Sequence, residues 1–118
     1  MAVQRDPRLL YGAEIRQRIL DDVADDISRL GKRRKVGRLV SVGIGDVEEI
    51  AVYIRGQARA AAAVGLPFDQ QHWSADLTQD ECKRRLVEMN DDPDVLGVIL
   101  QRPVPAHVNV RSLQSAIH

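Results

Sequence analysis

The stretch Leu39-Val40-Ser41-Val42-Gly43-Ile44-Gly45 decides the fold. It is an apolar, β-branched run interrupted only by Ser41 and Gly43, with no alternation of wet and dry positions. Such a run reads as a strand buried on both faces, and parallel sheets covered by helices bury their strands in that way. From Glu48 to Val64 the pattern changes to a helix. Its interior, Ala58 to Ala63 with Arg59 interposed, is a strong helix former, and Gly65 supplies a stop. Gly43-Ile44-Gly45 reads as the tight turn between strand and helix. It lacks the third glycine of a dinucleotide fingerprint and the lysine of a phosphate-binding loop.

Upstream, apolar side chains at Ile15, Ile19, Val23, Ile27 and Leu30 mark one face of an amphipathic helix from about Leu10 to Leu30, with Gly31 as its stop. Downstream, Phe68 to Trp73 predicts a second strand, weakened by its polar middle. Thr78-Gln79-Asp80-Glu81 has the form of a capping box and opens a helix with Cys82, Leu86, Val87 and Met89 as its apolar positions. Asn90-Asp91-Asp92-Pro93 ends that helix. Val95-Leu96-Gly97-Val98-Ile99-Leu100 is a third strand, stopped by Pro103 and Pro105, which remove ladder donors. Asn109 caps a short last helix through Leu113 and Ile117. The order α-β-α-β-α-β-α predicts a single α/β domain over residues 1–118, a three-layer α/β/α sandwich with a mainly parallel sheet. Ligands of such sheets bind beyond the carboxyl ends of the strands, where Gly45 to Tyr53 and Gln101 to Pro105 both fall.

Composition removes several function classes. Seventeen basic and seventeen acidic side chains cancel, which argues against a nucleic-acid surface. The basic run Lys32-Arg33-Arg34-Lys35 follows the first helix and reads as a solvated connector. No apolar stretch approaches the roughly 20 residues of a membrane span. The opening Met1-Ala2-Val3-Gln4 has no apolar core of a secretory signal, and the single Cys82 fits a reducing compartment, so the reading is cytoplasmic. His72, His107, His118 and Cys82 have no metal-ligand spacing, so no metal site is expected. The pairs Asp21-Asp22, Asp25-Asp26 and Asp91-Asp92 read as solvated faces, and no serine or cysteine has a histidine at a nucleophile's spacing.

Tyr53, Gln57 and Gln101 form the main candidate site. Tyr53 and Gln57 are one helical turn apart and share a face. An aromatic ring there can lie across a flat heterocycle, and the amide of Gln101 can both donate and accept. Periodicity alone favours the plainer reading, in which Tyr53 packs in the core and both glutamines face solvent.

Two segments carry a family resemblance. Tyr53-Ile54-Arg55-Gly56-Gln57 resembles the Tyr-x-x-x-Lys run of the methylenetetrahydrofolate dehydrogenase/cyclohydrolase family. Leu100-Gln101-Arg102-Pro103-Val104-Pro105 resembles its Gln-Leu-Pro-Leu-Pro turn, at the family's distance from the tyrosine. Ala62-Ala63-Val64-Gly65-Leu66, Met89-Asn90-Asp91 and Gly97-Val98-Ile99-Leu100 extend the likeness over most of the chain. The resemblance implies a folate-binding catalytic domain of one-carbon metabolism. Tyr53, Gln101 and Pro103 are then substrate-binding, and Gln57 and Gln101 occupy the catalytic positions. It implies a tetrahydrofolate derivative as substrate and a homodimer or partner subunit. NADP would enter only through a Rossmann domain that is not in this chain. Four departures bear on activity. The lysine is Gln57; the first leucine of the proline turn is Arg102. The loop Asp46-Val47-Glu48-Glu49-Ile50 lacks the family's Pro-Ala-Ser, and Tyr11-Gly12-Ala13 replaces Asp-Gly-Lys. Weakened or lost cyclohydrolase chemistry is therefore expected. The alternative is a non-catalytic homologue acting as a folate-like ligand sensor or subunit.

No Gly-x-Gly-x-x-Gly opens a helix here, so this chain alone is expected to bind neither NADP nor NAD. Calorimetric binding tighter than about 100 μM, roughly −5.5 kcal/mol, would contradict that.

Overall fold

A computed structural model describes residues 4–46 and 48–118; Met1 to Val3, and Val47 in the loop before Tyr53, lie outside them. Seven elements follow one another: α1 Gly12–Gly31, β1 Arg38–Ile44, α2 Glu48–Val64, β2 Phe68–Trp73, α3 Gln79–Asn90, β3 Val95–Leu100 and α4 Val110–Ser115. The three strands are parallel and ordered β2-β1-β3. The anticipated α/β architecture with a parallel sheet is what the chain adopts.

The central strand β1 is covered on both faces, as its unbroken apolar run requires. Val40, Val42 and Ile44 point into a core shared with Trp73, Cys82, Leu86, Val108 and Leu113, so α3 and α4 cover that side. On the other side Gly43 lies under α2: a Cβ built there would sit 3.8 Å from Ile50 and 3.9 Å from Ile54. Each large aliphatic side chain removed from water in this way contributes about 1.5–3 kcal/mol. Gly45 makes the turn into α2 with φ of 80°, a left-handed conformation that glycine adopts without penalty. At the far end of α2, Gly65 has φ of 77°. Its N–H donates to Ala62 and that of Leu66 to Ala61, which closes the last turn in a Schellman motif.

The polar middle of β2 is accounted for by its edge position and by a charged clamp. The Arg38 guanidinium lies 3.2 Å from an oxygen of Asp92 and 3.5 Å from one of Asp69. Gln71 donates to Asp69 and accepts from the indole of Trp73, and Arg85 lies 5.3 Å above that ring. Backbone donation from Asp94, then the Arg38 side chain, holds the Asp92 carboxyl below its usual range.

Three local expectations need correction. The stripe on α1 is not buried: Ile15 and Ile19 are each 57% exposed, and α1 contains no buried residue. It packs beside α2 instead of on the sheet. The Cα radius of gyration is accordingly 17.5 Å, where a compact chain of this length would give roughly 13–14 Å. Gly31 is the last residue of α1, not a left-handed stop beyond it; the cap is Lys32, in right-handed conformation. Val87 on α3 is 43% exposed, leaving Cys82 and Leu86 as the residues α3 buries.

The capping box on α3 is complete. The Thr78 hydroxyl accepts from the Glu81 N–H at 3.2 Å, and the Glu81 carboxylate accepts from the Thr78 N–H at 2.9 Å. These bonds, the backbone one foremost, lower the Glu81 pKa from the usual 4.5. A carboxyl depressed on folding stabilises the fold above its unfolded pKa, and that contribution fades as pH falls through the folded value. Thr78→Ala should cost about 1 kcal/mol in urea denaturation at neutral pH. Glu81→Gln should flatten the loss of stability seen in the parent below about pH 4.5.

Candidate functional site

The backbone N–H of Gln101 donates to the Val42 carbonyl at 2.8 Å, which extends the β1–β3 ladder one residue past the strand. Alternation then turns the Gln101 side chain to the α2 face, since Leu100 packs on the opposite core. Helix α2 leaves the carboxyl end of β1 and returns across that face, carrying Gln57 over the same point. The Gln101 side-chain amide donates to the Gln57 carbonyl oxygen at 2.6 Å and to the Ser41 hydroxyl at 2.9 Å. Gln101 is 7% exposed and Ser41 is 0% exposed. The two glutamines are thus in contact, and Gln101 is buried and bonded, not solvated.

Tyr53 lies one turn before Gln57 on the same face of α2 and is 71% exposed, so it is not a core residue. Pro103 is exposed and follows a cis Arg102–Pro103 bond. The Arg102 guanidinium donates to the Gln114 amide oxygen on α4 at 2.9 Å, which ties this cation to the neighbouring helix. Ser41 is the residue that sequence reasoning missed. One hydroxyl in an apolar run carries no motif, and its partner lies sixty positions away.

Two clefts flank α2. A groove of about 190 Å³ on the β2 side is lined by Gly45, Asp46, Ile50, Ile54, Gln70 and His72. There the His72 Nε2 lies 2.9 Å from the Gly45 carbonyl and 3.1 Å from an Asp46 oxygen. Both neighbours are acceptors, so Nε2 carries the proton. The other groove, of about 240 Å³, is almost wholly apolar and runs between α1, α2 and the sheet past Val23, Leu39, Gln57, Ala61 and Ile99. His107 bonds to the Leu77 carbonyl at 2.8 Å. Cys82 is buried in the core, where burial pushes its thiol pKa up and makes it a poor nucleophile.

The chain is a parallel α/β domain in which two amides meet at the strand carboxyl ends, with Tyr53 exposed one turn away on α2. Residues 10–118 match the model of the tetrahydrofolate dehydrogenase/cyclohydrolase catalytic domain, and the chain belongs to that family. It is 61% identical over 114 residues, 97% of its length, to the bifunctional protein FolD 3 of Roseobacter denitrificans. It is 56% identical over its full length to the bifunctional protein FolD 2 of Ruegeria pomeroyi. It spans 38% and 39% of those two proteins respectively. Among solved structures, a methylenetetrahydrofolate dehydrogenase from the silkworm Bombyx mori shares the fold at a TM-score of 0.88 and 24% identity, over 94% of this chain and 39% of that one. The FolD enzyme of Campylobacter jejuni does so at 0.87 and 21%, over 91% and 38%.

Gln101→Ala should leave the Ser41 hydroxyl buried without its partner and cost about 1–3 kcal/mol in chemical denaturation. A variant as stable as the parent would mean that Gln101 spends its time in solvent.

Proposed function

We propose that this chain is a folate-binding catalytic domain of one-carbon metabolism in which the cyclohydrolase step is weakened or lost. The observation that carries the reading is the 2.6 Å hydrogen bond between Gln101 and Gln57. It joins the two motifs that are far apart in sequence, beside an exposed Tyr53. In this reading the Tyr53 ring stacks on the flat pterin. Gln101 accepts from a ligand N–H, Gln57 donates to a carbonyl or orients a water, and the exposed Pro103 contacts the ligand's edge. Neither amide exchanges a proton at neutral pH. Hydride transfer would draw on a nicotinamide nucleotide held outside this domain.

A second reading, a ligand sensor or partner subunit without catalysis, is favoured by the same absence of a titratable group at Gln57. The exposed stripe of Ile15, Ile19 and Val23 supports burial of α1 in a homodimer or against a partner subunit in either case.

Gln57→Lys separates the two. General acid–base assistance is typically worth 10²–10⁴-fold, or about 3–5 kcal/mol of barrier. The lysine variant should raise methenyltetrahydrofolate hydrolysis at least tenfold. A parent that already hydrolyses at ordinary enzymatic rates refutes the weakened step. Failure of both proteins to bind any reduced folate refutes the ligand.

A further inference from the structure

We propose that Ser41 is a positioning residue: it anchors the Gln101 side chain from inside the sheet, and with the amide nitrogen turned inward, as observed, a ligand meets an acceptor from Gln101 and a donor from Gln57. For its consequence at the ligand, the proposal rests on the folate reading above.

Ser41 occupies the middle of the central strand, paired with Gln70 on one side and Ile99 on the other, so its backbone is held from both edges. Its hydroxyl is wholly buried between apolar neighbours. Leaving such a group without a partner is unfavourable, and its partner among the described residues is Gln101 Nε2. Gln57 is a softer support, half-buried on a surface helix. The strand therefore supplies the rigid reference point and the helix the adjustable one.

The chemistry follows from counting donors. Gln101 Nε2 has two protons, and Ser41 and Gln57 take one each. The free ends are then the carbonyl oxygen of Gln101 and the amide nitrogen of Gln57. On amides joined by one bond, they make a neutral acceptor and a neutral donor. Together they complement a ligand edge on which an N–H stands next to a C=O, as in a cyclic amide heterocycle, and they attract no charge. A lysine at position 57 reverses this arrangement. An ammonium has only protons to offer, so Gln101 must turn its oxygen inward, and the Ser41 hydroxyl, which donates as readily as it accepts, follows. The cleft then meets amide protons where it had met an acceptor.

The test is the side-chain amide resonance of Gln101 in the isotopically labelled full chain, read together with calorimetric binding of tetrahydrofolate. In the parent both amide protons should be displaced from solvent values and slow to exchange. In Ser41→Ala, with circular dichroism verifying the fold, one proton should revert to solvent behaviour and tetrahydrofolate affinity should fall about tenfold. Ser41→Thr, which restores a hydroxyl, should recover both. In Gln57→Lys both protons should become exchangeable. A folded Ser41→Ala protein that retains both slow protons and the parent's affinity overturns the proposal, and the alanine variant decides this whether or not the threonine fits. Solvent-like protons in the parent overturn it for any ligand. Slow protons in a parent that binds no tetrahydrofolate support the positioning and refute only the folate reading.

Discussion

The rest of the structure depends on the burial of β1 on both faces. A strand that has lost water on either side must satisfy two surfaces at once, and its side chains alternate to do so. Val40, Val42 and Ile44 serve the face shared with α3 and α4. Leu39, Ser41 and Gly43 serve the face under α2. The small residues on that second face matter, because they let a helix lie close and leave room for a side chain from β3's end to enter. The Gln101 side chain enters beside Ser41, and Ile50 and Ile54 lie over Gly43.

That arrangement explains why the site is neutral. Where water is excluded, an unpaired charge is costly, and amides that satisfy one another are tolerated. Gln101, Gln57 and Ser41 make such a set, with the Gln101 nitrogen bonded to both partners. The cation that follows Gln101, Arg102, is held by Gln114. In the proposed reading the domain would offer a ligand a stacking surface and hydrogen-bond direction. Proton transfer at Gln57 is what the set cannot supply.

Much of this was legible in the residues. The apolar run of β1, the capping box at Thr78, the glycine stop at Gly65 and the proline stop after β3 each rest on local chemistry, and all seven elements formed in the expected order, with α4 ending at Ser115, short of Ile117. The contact between Gln57 and Gln101 was approachable only through two motifs taken together. Ser41 was not legible, because a hydroxyl's partner across a sheet leaves no trace in periodicity. Nor was the exposure of α1: an apolar stripe says that a face can be buried, not what buries it. The clamp on Asp69 and Asp92 was hidden for the reason that hid Ser41, since Arg38 in isolation is one more surface cation.

Arg38 has a counterpart at the other end of the sheet. Its guanidinium reaches Asp69 at the start of β2 and Asp92 in the turn before β3, so the beginnings of all three strands are cross-tied by one side chain. At their carboxyl ends the ties are split among several groups: His72 bonds the end of β2 to the Gly45 carbonyl, and the amide chain from Ser41 through Gln101 reaches α2. A flat ligand resting on Tyr53 and bonded to Gln101 would bridge helix and strand there, as Arg38 bridges strand and turn below. Binding would then tighten the domain as well as fill it, and a ligand at a hundred times its dissociation constant adds about 2.7 kcal/mol to the folded state by mass action. For a domain of this size that is a sizeable part of its whole stability. The bound molecule would be a structural member of the sheet's open end.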